Sequence, residues 1–209
     1  MKGLLLKDFY MVWKYCRMIF AMTIVFLAVS ATGQENIFFV IYPMMAASII
    51  PSTLLSYDEK SGWNVFSKAL PYSRIELVSV KYLIAAALVA VVWILSAAIQ
   101  LIRFIAGVGS SPAELAIMLS VLLCMGLVSS GLILPVMFKY GVDKGRFAYY
   151  VTIAAACGGG VAFPQILENM NLTINVNAQF LPAVIVCTGI IFFAISWLAA
   201  IKFYQKRED

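Results

Sequence analysis

The feature that most constrains this chain is the alternation of its basic residues with six long apolar stretches. All but one of the 15 Lys and Arg residues fall into four short clusters, which lie in every other connection between the stretches. The clusters are Lys2, Lys7, Lys14 and Arg17; Lys60, Lys68, Arg74 and Lys81; Lys139, Lys144 and Arg146; and Lys202, Lys206 and Arg207. Because basic residues accumulate on the cytosolic side of membrane helices, the pattern predicts an integral membrane protein with both ends in the cytosol.

The composition also indicates a chain whose solvent is lipid. Its 209 residues are 63% hydrophobic and only 12% charged, which lies outside the usual balance of soluble domains. A helix needs about 20 apolar residues to cross a hydrocarbon layer of about 30 Å. The predicted spans are residues 18–31, 37–55, 82–104, 113–138, 147–167 and 181–203. We therefore predict an all-α integral membrane protein with six transmembrane helices, a single domain over residues 1–209 in the cell membrane.

The connections divide into cytosolic and outer loops. Residues 56–81 and 139–146 form the predicted cytosolic loops, and 204–209 form a cytosolic tail. The net charge of +5 reflects the basic clusters on the predicted cytosolic side, so it does not indicate nucleic-acid binding. Little chain is left over for a soluble catalytic domain.

Residues 1–17 have the pattern of an amphipathic helix. Lys7, Tyr10, Lys14 and Arg17 recur at spacings of three and four, which places them on one helical face. Such a helix is expected to lie in the cytosolic headgroup layer. The alternative is that these residues are only the charged start of the first span.

Several kinds of chemistry are absent from the sequence. There is no histidine, which removes histidine-ligated zinc or haem and any serine–histidine couple. The four cysteines, Cys16, Cys124, Cys157 and Cys187, contain no close-spaced pair that would indicate a metal or redox motif. We predict no catalytic, cofactor or metal site in this chain.

The predicted spans also lack a deeply placed Asp or Glu, so a proton- or ion-driven carrier is disfavoured. Gln100 and Arg103, near the outer end of the third span, are the possible substrate contacts. Arg103 would either bind an anionic group or extend to the outer headgroups.

The first cytosolic loop carries the most specific pattern. Its matching residues are Glu59, Trp63, Asn64, Leu70, Pro71, Ser73, Arg74, Lys81 and Tyr82. The second loop contains Phe138-Lys139-Tyr140-Gly141 and Lys144-Gly145-Arg146, and the chain begins Met1-Lys-Gly-Leu-Leu-Leu-Lys-Asp-Phe9. Over its whole length the chain resembles permease subunits of ABC exporters of the type-2 class.

This resemblance implies a short cytosolic coupling helix that docks on an ATPase. Residues 58–69 are expected to form about three helical turns, with Trp63, Phe66 and Leu70 on one face and Pro71 ending the helix. The expected coupling residues are Asp58, Glu59, Trp63, Asn64, Phe66, Leu70, Pro71 and Arg74. Lys139, Tyr140, Lys144 and Arg146 are expected to contribute from the second loop. The alternative is that the aromatic residues contact lipid headgroups.

The resemblance also implies partners. The chain has no GxxxxGK[ST] motif, so ATP and Mg²⁺ would bind to a separate ATPase subunit. Six spans form half of the usual pathway, which implies a second permease subunit in a homodimer or heterodimer. Spans that are rich in aromatic, Met and small residues favour an amphipathic cargo. Within the family the chain looks closest to small bacterial permeases that export membrane-active peptides such as phenol-soluble modulins. The alternative is an immunity protein or sensor scaffold that binds such peptides without transporting them.

Overall fold

The computed structural model describes residues 2–32, 38–68, 73–107, 111–142, 144, 145, 147, 150 and 180–206. In these ranges the chain is built from α-helices. They are α1 (Lys2–Tyr15), α2 (Arg17–Ala31), α3 (Phe38–Lys60), α4 (Trp63–Lys68), α5 (Arg74–Ile105), α6 (Pro112–Tyr140) and α7 (Leu181–Lys206). The predicted all-α class is confirmed.

Four of these helices, α3, α5, α6 and α7, are long and apolar enough to cross a membrane. Residues Gly3–Tyr15 and Arg17–Ala31 form a pair bent by 68°, which gives up to five crossings in the described part of the chain. The 15 residues of α2 are short for a full crossing on their own. The predicted span at 147–167 lies outside the described residues.

Helix α5 extends the furthest beyond its predicted span. Helix α5 has 32 residues, or about 48 Å at 1.5 Å per residue, which exceeds the thickness of the hydrocarbon layer. It begins at Arg74, where Ser73 accepts a hydrogen bond from the Glu76 backbone N–H and the Glu76 carboxylate accepts one from Ser73. This capping box starts the helix eight residues before the predicted span, so the end of the predicted loop is helical.

The expected continuous helix over residues 58–69 is wrong. Helix α3 continues to Lys60, a turn at Ser61 and Gly62 follows, and α4 contains only six residues. Gly62 has a φ of +70°, a left-handed conformation that commonly ends helices. Asp58 and Glu59 therefore belong to the last turn of α3. Leu70 and Pro71 lie outside the described residues.

Glycines allow the long helices to approach closely. A Cβ atom at Gly126 of α6 would lie 2.7 Å from Met44 Sδ of α3, and one at Gly189 of α7 would lie 3.2 Å from Cys124 of α6. Small residues commonly serve this purpose in membrane helices. Helices α6 and α7 form the most extensive contact among the described helices, and α3 packs on α2, α5 and α6.

A candidate functional site of buried charges

Four charged side chains from three helices meet at the end of the bundle that carries α4. Lys7 Nζ lies 2.7 Å from Asp58 Oδ1 and 3.2 Å from Asp8 Oδ1. Lys81 Nζ lies 2.7 Å from Asp8 Oδ2 and 2.5 Å from Asp58 Oδ2. Each ammonium group thus bridges the same two carboxylates, and the four charges sum to zero. We call Lys7, Asp8, Asp58 and Lys81 the charge cluster.

The charge cluster is largely withdrawn from solvent. Asp8 is 1% exposed, Asp58 4% and Lys81 6%, whereas the Lys7 side chain is 24% exposed. Within the described ranges, the oxygens of Asp8 accept no well-aligned hydrogen bond, so the lysines hold this residue by charge and proximity. Removing one partner of a buried ion pair leaves an uncompensated charge and costs about 3–5 kcal/mol. The cluster therefore ties α1, α3 and α5 together only while all four charges are present.

Helix α4 contacts this cluster through Trp63. Lys7 Nζ lies 3.9 Å from the centroid of the Trp63 ring, which is within the range of a cation–π interaction. The rings of Trp63 and Phe66 are 5.6 Å apart. Phe66 is 59% exposed. One aromatic side chain of α4 therefore contacts the cluster, while the other is available to a partner. The side chain of Asn64 lies outside the described set.

Glu59 connects α3 with the end of α6. Its carboxylate Oε2 accepts a hydrogen bond of 2.9 Å from the backbone N–H of Val142. Helix α6 ends at Tyr140, and Gly141 follows with a φ of +81°. The predicted second loop begins here, so Glu59 joins the two predicted cytosolic loops. A small cavity of about 40 Å³ is lined by Glu59, Trp63 and the charge cluster, and it is large enough for a few water molecules.

Arg74, one of the predicted coupling residues, contacts the end of α7. Its guanidinium donates hydrogen bonds to the backbone carbonyls of Tyr204 and Gln205, at 3.4 and 3.2 Å. A basic side chain at these unpaired carbonyls stabilises the end of a helix. Arg74 therefore fixes the start of α5 to the end of α7.

The remaining second-loop residues lie at the surface of the same end. Lys139 and Tyr140 form the last turn of α6, and Lys139 Nζ lies 4.9 Å from the centroid of the Tyr140 ring. Tyr140 and Lys144 are exposed. Arg146 lies outside the described residues.

Sequence reasoning did not place three members of the cluster, Lys7, Asp8 and Lys81, among the site residues. Asp8 shares a buried face of α1 with Leu4, Val12 and Cys16, at spacings of four residues. That spacing could have predicted a buried ion pair for Asp8, because a carboxylate on an apolar face requires a buried partner. Lys81 was noted only as part of the family resemblance and of a basic cluster, although it shares a buried face of α5 with Val78 and Ala85.

Gln100 and Arg103 lie far from the charge cluster. Arg103 follows Lys81 by 22 positions on α5, or about 33 Å along the helix axis. The structure therefore separates the predicted substrate contacts from the predicted coupling residues by the thickness of a membrane.

Comparison with known proteins identifies the family. A family model described as "ABC-2 family transporter protein" matches residues 3–205, which contain every helix of the charge cluster. No curated protein and no solved structure gave a significant match. Permeases of this family are membrane transport components without an ATPase domain of their own, and they work with an ABC ATPase subunit. The chain is therefore a multi-pass membrane protein that belongs to the ABC-2 transporter family.

Proposed function

We propose that this chain is the permease subunit of an ATP-driven exporter and that it receives the motion of its ATPase through α4 and the charge cluster. The observation that carries the proposal is the contact of Lys7 with both Trp63 and Asp58. It connects a short, partly exposed loop helix to the ends of three longer helices.

Several contacts at this end would transmit a displacement of α4. A push on Phe66 moves Trp63, whose ring lies against Lys7. Lys7 is ion-paired to Asp58 on α3, and neighbouring Glu59 is hydrogen-bonded to the backbone that follows α6. Packed helices respond to such a displacement as rigid bodies with discrete arrangements. In this proposal ATPase closure shifts α1, α3, α5 and α6 together.

The wider assembly follows from the same proposal. ATP and Mg²⁺ bind to the ATPase subunit, and a second permease subunit completes the pathway. The α4 end faces the cytosol of a bacterial cell, because most of the predicted cytosolic basic residues lie there. Lys139, Tyr140 and Lys144 then face the ATPase beside α4.

We further propose an amphipathic peptide as the cargo, as in the permeases of phenol-soluble modulin exporters. Within the described helices, acidic residues occur only at Asp8 in α1 and near the ends of the longer helices, at Asp58, Glu59, Glu76 and Glu114. A membrane interior without carboxylates provides no carrier for coupled protons. Such an interior supports the passage of apolar and amphipathic molecules, with ATP as the energy source.

The test uses the permease reconstituted in nanodiscs with its ATPase. We expect an amphipathic helical peptide to stimulate ATP hydrolysis, because cargo favours the transporting conformation. A hydrophilic sugar serves as the control. In proteoliposomes, transport should continue when a protonophore collapses the proton gradient at constant ATP. Stimulation by the sugar alone would contradict the peptide cargo, and loss of transport with the protonophore would contradict the ATP-driven mechanism. A permease that purifies without any ATPase would favour the immunity or sensor role.

A further inference from the structure

Helix α5 carries a stripe of polar residues at the end remote from the charge cluster. Ser96, Gln100 and Arg103 follow one another at spacings of four and three, so they share one face of the helix. The same face continues from the buried Val89 and Val92. The stripe is therefore directed towards other helices of the chain and away from lipid. We call these three residues the polar stripe.

The polar stripe contains buried groups without partners. Ser96 is 2% exposed and Gln100 is 8% exposed. In the part of the chain that the structure describes, neither the Ser96 hydroxyl nor the Arg103 Nε has a hydrogen-bond partner. An unpaired buried polar group destabilises a protein, and more so when it is charged. Because native proteins satisfy nearly all such groups, these two, seven positions apart, are available to bind a ligand.

The chemistry of the stripe specifies the ligand. Arg103 provides a permanent positive charge and several N–H donors, Gln100 provides an amide that donates, and Ser96 provides a hydroxyl. The nearest described carboxylate in sequence, Glu114, caps α6 through Ser111. Donors around one cation in a medium of low dielectric constant favour an oxygen anion.

We propose that the polar stripe is a binding site for an anionic oxygen group of the cargo, specifically the C-terminal carboxylate of an amphipathic peptide. This inference rests on the proposed function. The stripe begins 15 positions after Lys81, or about 22 Å along α5. In the proposed orientation it lies in the outer half of the membrane, so it binds the cargo late on the export path.

The experiment compares two peptides of identical amphipathic sequence, one with a free C-terminal carboxylate and one with a C-terminal amide. The readout is the peptide concentration that gives half-maximal ATPase stimulation by the complex in nanodiscs of zwitterionic lipid. We expect the carboxylate peptide to act at a concentration about tenfold lower, since hydrogen bonds to a charged group provide about that discrimination. Arg103→Gln should reduce the difference to less than about twofold, and Arg103→Lys should retain part of it.

Lys202→Gln is the matched control. Lys202 is an exposed cation at the other end of the bundle, on α7, so its loss tests a general effect of charge. This variant should keep the full preference for the carboxylate peptide. Equal loss of the preference in Lys202→Gln and Arg103→Gln would overturn the proposed site.

Four further outcomes test the proposal, and two of them identify another source of the anion. A wild-type complex that responds equally to both peptides overturns the site and leaves the proposed function standing. An ATPase rate that depends on anionic lipid through Arg103, without any peptide preference, assigns the stripe to a lipid phosphate and overturns the cargo site. Glu35, which lies outside the described residues, is tested as a carboxylate of this chain. Loss of the preference in Glu35→Gln as well as in Arg103→Gln would mean that the chain itself provides the anion, and this result would overturn the cargo site. Stimulation by neither peptide contradicts the proposed function, and the site with it.

Discussion

At the scale of single residues, Asp8 is the most buried carboxylate in the described part of the chain. It contacts Lys7 and Lys81 at 3.2 and 2.7 Å. Asp8→Asn keeps the side-chain volume but leaves the buried Lys81 with a single carboxylate. We expect this variant to lose about 3 kcal/mol of stability. In detergent, its monodisperse fraction should disappear at a lower temperature than that of the wild type.

A double-mutant cycle separates pairing from simple loss of packing. Asp8→Asn combined with Lys81→Met removes both charges of one pair and leaves the Lys7–Asp58 pair intact. Its destabilisation should be smaller than the sum of the single effects by more than about 1 kcal/mol. Lys14→Gln, an exposed change on the same helix, should alter stability by less than about 0.5 kcal/mol. Strictly additive single effects would show that the charges do not act as a cluster.

Substitutions of Trp63 and of Phe66 should differ in their effects on ATPase recovery and on cargo-stimulated ATP hydrolysis. Phe66 is 59% exposed, so Phe66→Ala should mainly weaken recovery of the ATPase with the permease, by loss of an interface anchor. Trp63 contacts Lys7, so Trp63→Ala should also lower the stimulation of ATP hydrolysis by cargo. Both quantities come from pull-down and ATPase measurements on one preparation. Tyr10→Ala, which removes a 69% exposed aromatic from α1, is the control. Unchanged recovery and transport in both α4 variants would place these aromatics in the lipid headgroups.

Whether a site residue could be predicted from the sequence depended on how far along the chain its interaction partner lies. Trp63 and Phe66 were recognisable, because aromatic residues in a short, bounded loop form a local pattern. The partners of Asp58 were not, since Lys7 and Lys81 lie 51 and 23 positions away. Hydropathy and periodicity identify the face of a helix on which a charge lies, but pairing depends on how distant helices pack.

At the scale of elements, the turn between α3 and α4 depends on Gly62. A residue with a Cβ in this left-handed conformation costs about 1–2 kcal/mol, although no atom lies within 4 Å of the position that the Cβ would occupy. Gly62→Ala should therefore destabilise the protein modestly and misplace α4. We expect cargo-stimulated ATP hydrolysis to fall at least about threefold, because α4 loses its contact with Lys7.

Gly107 offers a matched control for this prediction. It has a φ of +77° and equally open surroundings, but it follows α5 at the opposite end of the bundle. Gly107→Ala should cost similar stability in a thermal assay while leaving ATPase stimulation near that of the wild type. An equal loss of stimulation in both variants would mean that strain in general, and not the placement of α4, reduces coupling.

The ends of the elements were harder to predict than their cores. Hydropathy located the apolar centres of α3, α5, α6 and α7, but it does not report where a helix continues into water. The capping box of Ser73 and Glu76 was a local signal for the early start of α5. The break at Gly62 was less visible, because a glycine within a helical pattern is often tolerated.

At the scale of the whole molecule, the described helices place Ser61 and Lys144 at the α4 end and Ala106 and Phe180 at the opposite end of the bundle. All four side chains are exposed, which makes them better probes than Gly145, where a Cβ would lie 2.9 Å from Met137 Cα. The alternation of basic residues predicts that the α4 end is cytosolic. On a cysteine-free background, Ala106→Cys and Phe180→Cys should react with an impermeant maleimide in intact cells. Ser61→Cys and Lys144→Cys should react only after permeabilisation, and their labelling in intact cells would contradict this orientation and remove the ATPase from reach of α4.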